Sequence, residues 1–310
     1  MKNLKLSLMI IAITGLTFAA CRKRDTKKVE ERDTEQTTIN DNNLAENSAS
    51  DADVMGSQVS ENYTLTTYKT SGADLLLSAT CATVSTTFSN SAVSSATVDF
   101  GTSCVGKDGR TRSGKLFYNF SGSNVNAKNY RNPGFNMVVT SQNYVVDGNA
   151  ITLTKTVTNT TPLSLPTGTN PGTNLSWQVT ANVTITKANN EGTVNWSCNR
   201  TKTLLNTNDP NVYKGQLLPI DWTKARIQIS GTANGTNAKG ENFSVTANNL
   251  VRDFTCAPDP LRPKRHPFIS GTMQYTPGNR PTRYVDFGNG ACDFSAVVTI
   301  EGQEFTITLP

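Results

Sequence analysis

The chain has 310 residues and carries 29 basic against 24 acidic side chains, for a formal net charge of +5. A charge this small over such a length excludes the basic footprint of a nucleic-acid-binding protein. Aromatic residues are 7% of the chain while Thr, Asn, Ser and Gly are abundant. This composition favours many short strands joined by polar turns over a helical protein.

The chain begins with a segment typical of a bacterial lipoprotein signal. Lys2 and Lys5 precede an uncharged, largely apolar run, residues 6–20, which ends directly before Cys21. As a helix that run would reach only ~22 Å, less than the ~30 Å of a hydrocarbon core, so we expect a signal peptide over residues 1–20. Small residues before a cysteine resemble a lipobox, which predicts acylation of Cys21. The alternative is ordinary secretion, with Cys21 in a disulfide.

Residues 21–58 are predicted to be the acylated cysteine and a disordered tether. The tether starts with Arg22, Lys23 and Arg24 and continues with Asn, Ser, Asp and Glu, with almost no apolar side chains to bury. A segment of this composition lacks the hydrophobic burial that offsets the entropy cost of ordering. It would hold the folded part of the chain away from the membrane.

Residues 59–310 are predicted to form an all-β domain. Apolar and polar residues alternate in 152–157, 177–185 and 226–231, which is typical of strands with one face in water. Turn pairs such as Asp-Gly and Asn-Gly separate these runs. We therefore expect an antiparallel meander of hairpins that forms a sandwich or a curved sheet. Residues 159–174 could divide the region in two, although a single domain is favoured because neither half has a well-marked core.

Six cysteines are present, and acylation of Cys21 would leave an odd number to pair. Strand-end positions in an oxidising compartment predict two disulfides and one free thiol. The expected pairs are Cys81 with Cys104 and Cys256 with Cys292, and Cys198 stays free. A zinc site is disfavoured because no two cysteines have metal-ligand spacing, and we expect neither a metal nor a cofactor.

Two pairs of basic residues form the candidate ligand site. Arg110 and Arg112, like Arg200 and Lys202, are two residues apart, so each pair projects from one face of a strand. If the two strands are neighbours, the four side chains form a strip that could bind an anionic glycan or lipid headgroup. The alternative is a solvated strand face whose charges discourage edge pairing.

Catalytic residues are not identifiable in this sequence. His266 is the sole histidine and lies in a proline-bound loop, so a catalytic triad would depend on it alone. The spacing of the carboxylates selects no pair for glycoside chemistry. Trp177 and Trp196 lie inside alternating runs and are expected in the core.

Two segments resemble an uncharacterised family of lipoproteins from Bacteroidota. They are residues 99–115, with Asp-Phe-Gly, Cys104 and the string DGRTRSGK, and residues 286–293, with the string DFGNGACD. The resemblance covers most of the chain after about residue 75 and implies no activity. In that group, acidic residues after the acylated cysteine accompany surface export. Because Arg22 to Arg24 stand there, the resemblance favours a periplasm-facing lipoprotein, with surface display as the alternative.

These features predict a cell-envelope lipoprotein, anchored to the outer membrane by lipid, with a non-enzymatic binding or structural β domain. Its expected partners are the membrane and a glycan or protein of the envelope, with no nucleic acid. Two alternatives stay open: an envelope polysaccharide hydrolase, and a lipid- or lipoprotein-handling scaffold whose meander curls around an apolar groove. The sequence does not predict an oligomeric state.

Overall fold

In the computed structural model, the described residues are 37–62, 81–89, 92–106, 108–123, 128–162, 174–215, 218–256 and 266–308. They contain one α-helix, α1 (Thr37–Asn62), and 14 strands. The strands are β1 (Thr83–Ser89), β2 (Ala92–Asp99), β3 (Cys104–Val105), β4 (Thr111–Gly122), β5 (Phe135–Val146), β6 (Asn149–Asn159), β7 (Ser176–Thr186), β8 (Thr193–Leu204), β9 (Arg226–Thr236), β10 (Asn242–Asp253), β11 (Phe268–Pro277), β12 (Arg283–Asn289), β13 (Ser295–Ile300) and β14 (Gln303–Thr308).

The strands form one antiparallel sheet, which confirms the predicted all-β meander. Sequential strands pair from β1 to β14, except that β2 pairs with β4 while the two-residue β3 pairs separately with β4. The sheet is a single open layer rather than a sandwich. β6 and β7, which flank the 159–174 segment that could have marked a boundary, pair with each other from Ala150 to Asn159.

The sheet curves around α1. Asp51 reaches Arg112 on β4, while Asp53 reaches Lys202 on β8. Those strands are four pairing steps apart, or ~19 Å on a flat sheet, whereas residues two apart on a helix differ by ~3 Å along its axis. The helix also contacts β2, β5, β6, β7 and β11, so the sheet wraps around α1, which occupies its concave face.

Small residues let α1 approach the sheet closely. Ala45, Ala49, Ala52 and Gly56 recur at helical spacing and face the apolar side chains of the strands. A Cβ at Gly56 would overlap the sulfur of Met137 and lie 2.7 Å from the ring of Tyr118. Glycine is therefore required at this crossing, although it weakens a helix elsewhere.

The predicted tether is wrong from residue 37 onward. Residues 37–58 belong to α1, and Ile39, Met55 and Val59 on this helix are almost completely buried. Sequence reasoning missed the helix because its buried face is made of small and charged residues rather than of an apolar stripe. Residues 21–36, the signal segment 1–20 and Cys21 lie outside the described residues. Within the described residues, no helix combines the length and apolarity of a membrane span.

Both predicted disulfides are confirmed. Cys81 is bonded to Cys104 in β3, and Cys256, just after β10, is bonded to Cys292, just after β12. Cys198 has a free thiol, as predicted. Each bridge therefore joins chain segments 23 or 36 residues apart near a strand end.

Candidate functional site

Helix α1 carries carboxylates that point in different directions around its axis. Asp41, Glu46 and Asp51 follow one another at intervals of five residues, and each interval turns the side chain by ~140°. On a helix lying against a flat surface, some of these groups would face water. Because the sheet wraps around α1, each of the three finds a cation on a strand or turn of the concave face.

Asp51 is the centre of the first charge cluster. Its Oδ2 accepts a hydrogen bond of 2.6 Å from Nη1 of Arg110 and lies 3.5 Å from Nη2 of Arg112. Arg112 also donates twice to Asp108, at 3.0 and 2.7 Å, and Arg110 donates to Asp147 at 2.9 Å. Burial opposes the charge on Arg112, but Asp108 and Asp51 outweigh it and raise the pKa of Arg112 above its usual value. Arg112 is therefore held as a cation, and the members of the cluster are paired with one another.

Asp53 is the centre of the second cluster. Its Oδ2 lies 3.0 Å from Nζ of Lys202 and 3.6 Å from Nζ of Lys155, and its Oδ1 accepts a hydrogen bond from the Tyr130 hydroxyl at 3.1 Å. Burial alone would raise the pKa of Asp53, but the two lysines prevail and lower it. Burial lowers the pKa of Lys202, and the charge of Lys155 lowers it further, so that the attraction of Asp53 is outweighed.

Aromatic rings enclose the ammonium of Lys202. Its Nζ lies 5.4 Å from the ring centroid of Tyr130, 5.8 Å from that of Trp177 and 5.4 Å from that of Trp222. A cation over several ring faces gains electrostatic attraction without water. Trp177 is buried as predicted, and its indole N–H donates to the backbone oxygen of Tyr130.

Further pairs continue along α1. Arg200 on β8 contacts Glu46 at 2.8 Å, and Lys187 contacts Asp41 at 3.2 Å. Arg131 and Glu61 form an ion pair near the end of the helix. Buried Trp196 donates its indole N–H to the side chain of Asn42 at 2.8 Å. The polar residues of α1 are thus anchored to many strands at once.

The predicted anionic-ligand strip is wrong. Arg110, Arg112, Arg200 and Lys202 do face the same side of the sheet, but β4 and β8 are separated by β5, β6 and β7. All four side chains point to the concave face and pair with carboxylates of α1. The alternative of a solvated strand face is also wrong, since Arg112 and Arg200 are only 1% and 3% exposed. A two-residue period shows that side chains share a face, but it does not show what covers that face.

Cys198 and His266, which the sequence analysis also considered, are both held by contacts within the fold. Cys198 faces α1, and burial raises the pKa of its thiol to about 12, so it is protonated and unreactive at neutral pH. The ring of His266 is bonded through Nδ1 to the backbone oxygen of Cys256 at 2.7 Å, and burial lowers its pKa. The described ranges contain no group of three or more His, Cys, Asp or Glu placed to hold a metal.

A small cavity lies between α1 and the strands. The cavity between α1 and the strands measures about 60 Å³ and is lined by Glu46, Asp53, Lys155, Cys198 and Arg200 among others. This cavity is too small for a lipid chain.

The outer face of β7 to β10 has a different character. Outward positions of β7 and β8, of β9 from Gln228 to Thr236, and of β10 from Asn242 to Asn248 are all Ser, Thr, Asn or Gln. We call this surface the polar face. Where the polar face ends, Arg226 on β9 and Asp253 on β10 are charged, and they pair with each other at 3.2 Å.

An open depression of about 540 Å³ lies in the polar face. It is lined by residues of all four strands, among them Gly235, Trp196 and Phe243. A Cβ at Gly235 would overlap the backbone oxygen of Asn195, so glycine permits the close approach of β8 and β9 here. Sequence reasoning did not single out this site, although alternating Asn and Thr in adjacent runs is its visible signal.

Comparisons of the chain with protein-family models, with curated proteins and with solved structures found no match.

Proposed function

We propose that this chain is a lipid-anchored protein of the bacterial cell envelope, attached to the outer membrane through Cys21 and facing the periplasm. Residues 1–20, which read as a signal peptide ending at Cys21, support the anchor. The two disulfides support an oxidising compartment, where such bonds persist. Basic residues directly after Cys21 support the periplasmic side, by resemblance to the lipoprotein family described above.

For the β domain we propose a non-enzymatic role as a rigid scaffold that binds a glycan or protein of the envelope. The observation that carries this proposal is the pairing of the concave face with α1. Arg110, Arg200 and Lys202 are held by carboxylates of the same chain, so these cations are engaged in the fold. The outer face of the sheet is therefore the surface that we propose for binding. Paired strands hold side chains there more rigidly than loops do.

The anchor is tested by fractionating cells that express Cys21→Ser. We expect this variant to move from the membrane to the soluble envelope fraction and to lose labelling by a fatty-acid analogue. Cys198→Ser is the matched control, because it also removes one thiol but leaves the acylation site, and it should stay attached and labelled. Persistent membrane attachment of Cys21→Ser would refute the anchor.

A further inference from the structure

Two rows of side chains cross the depression in the polar face. The pairing registers place Asn182, Ser197, Asn234 and Ser244 side by side on β7, β8, β9 and β10. The adjacent row consists of Thr184, Asn195, Thr236 and Asn242. Within each row an amide alternates with a hydroxyl from one strand to the next.

Hydrogen bonds within the rows fix the orientation of the central amides. The Thr184 hydroxyl donates to Oδ1 of Asn195 at 3.0 Å, and Nδ2 of Asn195 donates to the Thr236 hydroxyl at 3.1 Å. In the other row the Ser197 hydroxyl donates to Oδ1 of Asn234 at 2.7 Å. This leaves Nδ2 of Asn234 without a partner among the described residues. The side chains of Asn182 and Asn242 likewise bond to no other described residue.

The chemistry of the depression selects a neutral, hydroxyl-rich ligand. It contains hydrogen-bond donors and acceptors but no charged side chain, so an anionic ligand would find no counter-charge. A peptide strand docks by adding to a free sheet edge, whereas β7, β8, β9 and β10 are each paired on both sides. An apolar partner would require exposed apolar side chains, and the outward side chains of the depression are Asn, Thr and Ser.

The spacing of the rows indicates the shape of that ligand. Amides and hydroxyls repeat at the strand spacing of ~4.8 Å, which is close to the length of one sugar unit in an extended β-linked chain. We propose that the depression binds a neutral, extended, β-linked glycan that runs across β7 to β10. The amide donors of Asn182 and Asn234, two strands apart in one row, would bond to alternate sugar units, and Asn242 of the adjacent row would bond to the unit over β10. This inference names a ligand for the proposed scaffold and therefore rests on that proposal.

Titration calorimetry with the full chain, purified in detergent, tests the inference. Cellohexaose is the probe, with maltohexaose as a control of chain shape and polygalacturonate as a control of charge. We expect saturable binding of cellohexaose and at least tenfold weaker binding of the other two. Absent binding of cellohexaose would overturn the inference, and so would equal binding of the three sugars.

Variants locate the binding site. Asn234→Ala with Asn242→Ala removes two of the three proposed amide donors and should weaken cellohexaose binding at least tenfold. Asn182→Ala removes no side-chain hydrogen bond to another described residue and should weaken binding severalfold, so it tests the site even if the double variant is unstable. The matched control is Asn119→Ala with Asn248→Ala, on outer-face positions outside the depression. Equal affinity of all variants would overturn the site. Because anchoring is measured separately with Cys21→Ser, failure of sugar binding alone would leave the anchor standing.

Discussion

Asp53 and Lys202 are 149 residues apart in sequence, and their charged atoms lie 3.0 Å apart in the fold. Asp53 belongs to α1 and Lys202 to β8, so this pair connects the helix to the middle of the sheet. Its surroundings are the rings of Tyr130, Trp177 and Trp222. A pair in such low-dielectric surroundings is sensitive to the loss of either partner.

Asp53→Asn should destabilise the protein by about 3 kcal/mol, since it leaves the ammonium groups of Lys202 and Lys155 without their shared carboxylate. The measurement is urea unfolding at neutral pH. Glu304→Gln is the matched control, because Glu304 is exposed on β14 and should change the unfolding free energy by less than about 0.5 kcal/mol. Equal stability of the two variants would contradict the proposed role of Asp53.

Stability should fall in acid, and part of this fall should depend on Asp53. The folded state lowers the pKa of Asp53 below its ordinary value of 3.8, so folding is favoured by the ionised form. This contribution is present above pH 3.8 and is lost as the pH falls from there through the folded pKa. Unfolding free energies measured between pH 6 and pH 2.5 should therefore decline less steeply for Asp53→Asn than for the native chain. Parallel curves would count against this assignment.

Gly56→Ala should destabilise the protein by about 1 to 3 kcal/mol, although alanine favours helices more than glycine does. The added Cβ would meet the ring of Tyr118, which is buried and donates its hydroxyl to the backbone oxygen of Ala52. The measurement is the midpoint of thermal unfolding. Ser50→Ala, on a partly exposed position of the same helix, is the control and should have little effect. A Gly56→Ala variant as stable as the native chain would show that α1 does not approach the sheet this closely.

Non-reducing peptide mapping should recover the pairs Cys81–Cys104 and Cys256–Cys292, with Cys198 as the one cysteine of the described residues that is alkylated after unfolding. Reduction should lower the unfolding free energy by about 3 kcal/mol for each bridge, because loops of this length restrict the unfolded chain. Cys198→Ser should show the same loss on reduction as the native chain. Any peptide in which Cys198 is bridged would contradict this pairing.

Alternation in the sequence was sufficient to predict an antiparallel meander, because side chains on a strand point to opposite faces in turn. Strand-end positions predicted the two disulfides, and positions inside alternating runs placed Trp177 and Trp196 in the core. The strand and core predictions depend on residues that are close together in sequence, and the disulfide prediction depends also on an oxidising compartment. The alternation of residues also indicates the polar face, but the depression forms only when the four strands pair in register.

Helix α1 and the role of the basic residues were decided by the tertiary structure alone. A two-residue period places Arg110 and Arg112 on one face of the sheet, but it contains no information about which face becomes concave. The carboxylates of α1 read as solvated because their partners are distant: Arg110 is 59 residues from Asp51, and Arg200 is 154 residues from Glu46. The helix is stabilised mainly by small-residue packing and ion pairs with a sheet that curves around it. Neither the curvature nor the pairs exist until the strands have assembled, so no local pattern in residues 37–62 could have revealed them.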